Sequence, residues 1–211
     1  MILCDLGNTH ANFCEDGRIR NMSVANFESY EPKERVFFVN VNDALAPKLA
    51  SNPLFVDLAP FARFDTTYSG LGIDRAMACY TIKTGLIIDA GSAITMDVMS
   101  GGMHLGGLIL PGLAASMKAY ESISPRLKCV MNSQLDLECL PQRTTDAVSY
   151  GILKPIVAIA NELARGNMIY LTGGDGAYLE KFFSHALYER DLVFAGMRQV
   201  INENKEKLCL E

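Results

Sequence analysis

The sequence predicts an α/β protein built from two halves with one pattern, and three observations carry that prediction. Apolar runs of strand length alternate along the chain with stretches of helical spacing. A D-x-G turn followed by a small polar residue closes a strand and opens a hairpin twice, at Asp5-Leu6-Gly7-Asn8-Thr9 and at Asp89-Ala90-Gly91-Ser92-Ala93. The second Asp follows the first by 84 residues (position 89 against position 5), the length of a small α/β unit. One such turn means little, because acids and glycines are common at turns. Two in matching strand–hairpin contexts point to a shared origin, and they divide the chain into residues 1–84 and 85–211.

The first half reads as a strand over Met1–Cys4, the D-x-G loop, and a hairpin of Ala11–Glu15 and Arg18–Val24 joined by Asp16-Gly17. A buried strand follows at Val36–Val41, a helix at Asn42–Ala50, a strand at Leu54–Val56 and a helix at Asp74–Lys83. The second half repeats the opening: strand Gly85–Ile88, the second D-x-G loop, strand Ile94–Met99, the Gly101-Gly102 turn and strand Met103–Leu110. A helix after Pro111-Gly112 runs from Leu113 to Glu121, and a long amphipathic helix spans Thr145–Arg165 with Thr144 and Thr145 as caps. Its apolar stripe is Ala147, Val148, Ile152, Ile156, Ile159, Ala160 and Leu163. Strand Met168–Leu171, loop Thr172–Gly176 and helix Ala177–Leu187 form a further α/β unit, and a strand over Leu192–Phe194 with a helix from Met197 closes the chain.

Composition narrows the function. Of 211 residues, 49% are hydrophobic and 20% charged, which suits a globular core and excludes a disordered chain. Nineteen Lys and Arg against 24 acids leave a net charge of -5 with no basic cluster, which argues against nucleic acid as a partner. The apolar stretch Leu105–Ala115 is interrupted by Gly106, Gly107, Pro111 and Gly112, too short and broken for a bilayer. MILCDLGNTH lacks the basic start of a signal peptide, so the reading is a cytoplasmic protein with no membrane partner. The six cysteines form no C-x-x-C pair and read as buried or incidental thiols. His10, His104 and His185 have no zinc-ligand spacing.

The two D-x-G loops carry chemistry. A Gly after a strand-terminal acid lets the backbone turn sharply and present N–H groups to an anion, while the acid can hold a hydrated cation. Two such loops suit a polyphosphate and its Mg²⁺; a pair of simple turn caps is the plainer alternative. G-x-x-x-x-G-K-[ST] and G-x-G-x-x-G are both absent, and Lys83-Thr84-Gly85 reads as a helix end with Gly past the cap. In Gly70-Leu71-Gly72-Ile73-Asp74-Arg75 an acid stands beside an arginine at a helix start, which keeps the acid ionised and able to take a proton from a hydroxyl. A helix-start acid paired locally is the common alternative.

In this order the segments resemble the type III pantothenate kinases of the actin-like and sugar-kinase superfamily. The resemblance rests on Asp5–Thr9, Gly72–Arg75, Ile88–Thr95, Gly106–Gly112, then Thr144 with Ala147 and Gly151, and Thr172-Gly173-Gly174. It implies two duplicated ribonuclease-H-like domains with the active cleft between them, and phosphorylation of pantothenate by ATP at the start of coenzyme A biosynthesis. It implies an ATP phosphate loop of Asp5, Leu6, Gly7, Asn8, Thr9, His10, Ala11 and Asn12, with Ser92, Gly173 and Gly174 also on ATP and Asp5 toward Mg²⁺. It implies pantothenate held by Gly72, Ile73, Asp74, Arg75 and Tyr68, with Asp74 as general base. Asp89 is implied to hold a monovalent cation, K⁺ or NH₄⁺, and Thr144 to reach pantothenate from the partner subunit of a homodimer. Departures are Ser92 where the family usually has Thr, Ile73 where it usually has Ala, Tyr68 closer than usual to the G-x-D-R, and a shorter chain. Three competing readings stand beside it: another small-molecule phosphotransferase of the superfamily, a two-metal nuclease using Asp5, Asp74 and Asp89, and a regulator that has lost turnover.

Overall fold

Two five-stranded sheets share one connectivity. The computed structural model describes residues 1–210. The first sheet is made by β1 (Ile2–Leu6), β2 (His10–Glu15), β3 (Arg18–Ser23), β4 (Val36–Asn40) and β5 (Phe55–Asp57). Between these strands lie two short helices, α1 (Val24–Phe27) and α2 (Ala46–Ser51), and α3 (Ile73–Cys79) follows β5. The strand order is β3-β2-β1-β4-β5, with β1 antiparallel to β2 and parallel to β4. The second sheet is made by β6 (Gly85–Ala90), β7 (Ala93–Ser100), β8 (Met103–Pro111), β9 (Ile169–Thr172) and β10 (Ala186–Tyr188). Its order, β10-β9-β6-β7-β8, repeats the first strand for strand, with β6 antiparallel to β7 and parallel to β9. Helices α4 (Leu113–Ile123), α5 (Thr144–Ala164) and α6 (Gly176–Glu180) belong to this half, and α7 (Leu192–Glu203) ends the regular structure.

Each sheet packs its own core. In the first, Phe13, Phe27, Phe38 and Phe55 join Leu6 and Leu45 in a buried cluster, with Phe38 and Phe55 edge to face at 6.2 Å. In the second, Ile88, Ile94 and Met96 meet Ile152, Ile156 and Ala160 of α5. Of the predicted α5 stripe, Val148, Ile152, Ile156 and Ala160 are buried, Ile159 and Leu163 pack partly on the core, and Ala147 is exposed. By length and hydropathy alone α5 could cross a membrane; here its apolar stripe lies in the core.

The chain folds into two compact units that do not follow a single cut at residue 84. One unit takes Met1–Lys83, Gly101–Leu105 and Asp191–Glu211, the other Thr84–Ser100 and Gly106–Arg190. The C-terminal helix therefore belongs with the first unit, because α7 docks on α3. Gly196 makes that approach possible: a Cβ there would stand 2.8 Å from the carbonyl carbon of Met77.

Four local expectations are corrected. Leu192–Phe194, read as a strand, opens α7, where Leu192, Val193, Phe194, Met197, Val200 and Ile201 form one buried face at helical spacing. The helix expected over Ala177–Leu187 is the five-residue α6, and its last residues instead form β10, pairing parallel with β9. Gly85 does not cap a helix; α3 ends at Cys79 and Gly85 begins β6. Thr144 and Thr145 are not caps either, since Arg143 is the N-cap residue of α5 and its side chain makes no capping bond. The six cysteines are free, with Cys4, Cys14 and Cys79 buried.

Gly196→Ala should destabilise the first unit by roughly 1–3 kcal/mol, the usual cost of forcing atoms into a packed interior. Urea unfolding checks this; a stability equal to the parent's would show that α7 does not press on the Met77 backbone.

Candidate active site

In the first unit, strand pairing sets the first loop. Asp5 lies opposite Asn12 in the β1–β2 ladder, and Asn12 Nδ2 donates to Asp5 Oδ2 at 3.2 Å. Gly7 N–H donates to His10 O at 3.0 Å, closing the turn, and Asn8, Thr9 and His10 are exposed on its outside. Thr9 Oγ1 and His10 Nδ1 are 3.1 Å apart. Leu6 and Ala11 are fully buried, so their part in any loop chemistry is limited to backbone groups. Burial, opposed by the Asn12 hydrogen bond and reinforced by the charge of Asp74, pushes the Asp5 carboxyl up to about 6. A desolvated carboxylate crowded by a second one fits a cation, and both offer the hard oxygens that Mg²⁺ takes alongside phosphates and water.

The Gly72–Arg75 segment stands in the same unit, at the start of α3. Gly72 is the N-cap residue, and the Asp74 carboxylate folds into the space where a side chain on Gly72 would be. Asp74 Oδ1 accepts the Arg75 backbone N–H at 2.7 Å. Arg75 is only 6% exposed, yet its guanidinium lies 4.9 Å above the Tyr68 ring. The structure thus brings Tyr68 against Arg75 despite the short spacing between them in sequence, and Ile73 is half-buried beside them in the chain.

In the second unit, Asp89 is the penultimate residue of β6, in register with Thr95 of β7 and Thr172 of β9. Gly91 N–H donates to Ala93 O at 2.9 Å, and Ser92 O accepts the Gly112 N–H at 3.1 Å, so the second loop is held from both sides. The Thr172-Gly173-Gly174 loop packs on it. Gly173 has φ +82, and a Cβ there would run into Ala90 O and Asp89 Oδ1. Ser92 is exposed, and a Cβ on Gly174 would meet nothing. The Asp89 carboxylate and the Ala90 carbonyl both stand beside Gly173, hard oxygens that suit an alkali cation. Thr144 is exposed in the first turn of α5.

Two neighbours of these residues carried no sequence signal. Asp175 donates its N–H to Ala90 O at 2.9 Å, and burial raises its carboxyl above the ordinary range. His104 is wholly buried and its ring lies 6.1 Å from that of Tyr68. The contact depends on strand β8 returning past residues 65–67, which no local spacing announces.

Each sheet thus carries an acid followed by a glycine turn near the end of its first strand. The comparisons with known proteins give the family. A family model for type III pantothenate kinase matches residues 39–166. The type III pantothenate kinase of Campylobacter jejuni strain RM1221 is 46% identical over 208 residues, covering 99% of this chain and 100% of that one. That of Wolinella succinogenes is 41% identical over 207 residues, covering 98% and 99%. A crystal structure from C. jejuni, described as a Baf family transcriptional activator, superposes with a TM-score of 0.92 at 44% identity, covering 98% of this chain and 100% of that one. A 2-dehydro-3-deoxygalactonokinase structure from Sinorhizobium meliloti, 9% identical over 96% of each chain with a TM-score of 0.54, shares the fold alone. The chain belongs to the type III pantothenate kinase family.

The elevated Asp5 predicts an unusual pH dependence of stability. Unfolded, this carboxyl loses its proton near 3.8; folded, near 6. Between those values the unfolded chain holds fewer protons, so the contribution of Asp5 falls as pH rises. Asp5→Asn should therefore gain on the parent by about 2 kcal/mol between about pH 4 and about pH 7. Urea unfolding at both pH values tests this, and a constant gap would refute the desolvated carboxylate.

Proposed function

We infer that this chain carries out the reaction its family is named for, phosphorylation of pantothenate with ATP to 4′-phosphopantothenate at the start of coenzyme A biosynthesis. The observation that carries the residue roles is the Gly72–Arg75 segment. There a carboxylate and a buried guanidinium leave one helix start, with an aromatic ring beneath the cation. Pantothenate has a carboxylate at one end and a primary hydroxyl at the other, so one cation and one base are the groups it needs.

In this reading Asp74 takes the proton of the pantothenate hydroxyl and aims its oxygen at the γ-phosphorus, since in-line transfer depends on that alignment. Arg75 grips the pantothenate carboxylate, Tyr68 holds the guanidinium in place, and Gly72 and Ile73 form the wall beside them. The exposed backbone and side chains of Asn8, Thr9 and His10, with Gly7 and Asn12 behind them, hold phosphate oxygens. Ser92, Gly173 and Gly174 contact ATP in the second unit. Asp5 holds Mg²⁺, which offsets the negative charge of the phosphates when bound. Asp89 holds K⁺ or NH₄⁺. The enzyme works as a cytoplasmic homodimer in which Thr144 of the partner subunit completes the pantothenate site.

Asp74→Asn keeps the shape and one acceptor oxygen but removes the base. Its kcat should fall by about 10²–10⁴, with ATP binding little changed. Arg75→Ala should instead raise the KM for pantothenate. A coupled ADP assay measures both, and parental kcat in Asp74→Asn would leave that residue as a helix-start acid only.

Asp89→Asn should retain the fold and lose activation by K⁺, because a carboxylate near phosphate is stabilised by a neighbouring cation. A potassium titration of activity identical to the parent's would remove Asp89 from that role.

A further inference from the structure

We propose that His104 is a positioning residue for pantothenate, acting through Thr66 and Tyr68 on Arg75; the inference rests on the reading that Tyr68 and Arg75 hold this substrate. Residues 101–105 belong to the same compact unit as Gly72–Arg75, so the whole chain of contacts lies in one body. The loop before α3 is fastened to the start of β8 by backbone bonds on both sides of Thr66. His104 N–H donates to Asp65 O at 3.0 Å, and Thr67 N–H donates to His104 O at 3.3 Å. Thr67 Oγ1 adds a bond to Leu105 O at 3.1 Å.

Backbone bonds fix the loop's path, and the imidazole does something further. His104 Nδ1 and Thr66 Oγ1 are 2.6 Å apart, across 38 residues of sequence. The same Thr66 oxygen accepts the Tyr68 N–H at 2.9 Å. Thr66 Oγ1 therefore bridges the Tyr68 backbone N–H and the His104 ring nitrogen, tying the imidazole to the Tyr68 main chain. The His104 ring is 0% exposed and lies between Phe64, at 5.8 Å, and Tyr68, at 6.1 Å. Tyr68 in turn carries the Arg75 guanidinium at 4.9 Å.

An apolar residue could fill the volume of His104. It could not hold the Thr66 hydroxyl in the orientation that anchors the Tyr68 backbone. Without that anchor the Tyr68 ring has no fixed place, and the guanidinium loses its platform. The effect should fall on pantothenate and spare ATP.

Thr66 is exposed, so its hydroxyl can be removed with little threat to folding. Thr66→Val should raise the KM for pantothenate roughly tenfold, about the worth of one net hydrogen bond, with kcat and the KM for ATP within about twofold of the parent. Thr66→Ser should restore the parental KM. His104→Phe should match Thr66→Val, and the double variant should be no worse than either single change, because both break one chain. If His104→Phe does not fold, the two Thr66 variants decide. An unchanged pantothenate KM in Thr66→Val, an equal rise in the KM for ATP, or failure of Ser to rescue overturns the proposal. Arg75→Ala in the same assay separates the two levels. A raised KM there with an unaffected Thr66→Val defeats this inference alone, whereas an unaffected Arg75→Ala defeats the reading of the site beneath it.

Discussion

Strand register in the opening hairpin of each half is the constraint on which the rest of the molecule depends. Side chains alternate across a strand, so a slip of one residue would turn Asp5 and Asp89 to the other face and bring the core residues beside them out of place. Pairing Asp5 with Asn12, and Asp89 with Thr95, prevents that slip. The core supplies the driving force: Cys4 and Leu6 flank Asp5, and Ile88 and Ala90 flank Asp89, all buried. Packing of apolar neighbours thus decides where the acids stand, and the glycine after each lets the chain turn away at once.

The first unit concentrates charge that water would otherwise spread out. Asp5 is desolvated and feels Asp74, while Arg75 beside them is buried against an aromatic ring. Such an arrangement costs stability, and groups perturbed in this way cluster at functional sites. The second unit differs in character. Its loops meet through close backbone approaches at Gly173 and Gly112.

Much of this was legible in the chain. The D-x-G repeat announced the duplicated topology because a strand-terminal acid, a turn and a hairpin need few residues and leave a local mark. The Gly72–Arg75 segment was legible for the same reason. The C-terminal region was not. Leu192-Val193-Phe194 read as a strand because three consecutive apolar residues carry no period; only with Met197, Val200 and Ile201 does the buried helical face emerge. The end of the helix predicted after Gly176 became β10 because the edge of β9 offered backbone partners to Ala186–Tyr188.

The sequence by itself determined the α/β class, the duplicated order of elements, the two acid–glycine turns and the placing of Asp74 and Arg75 at a helix start. Each of these follows from residues within a few positions of one another. Tertiary structure alone decided that α7 returns to the first unit, that Gly173 packs on Asp89, and that His104 meets Thr66 and Tyr68. Those outcomes join segments tens of residues apart. They depend on which surfaces the sheets leave for burial, a property that no window of sequence contains.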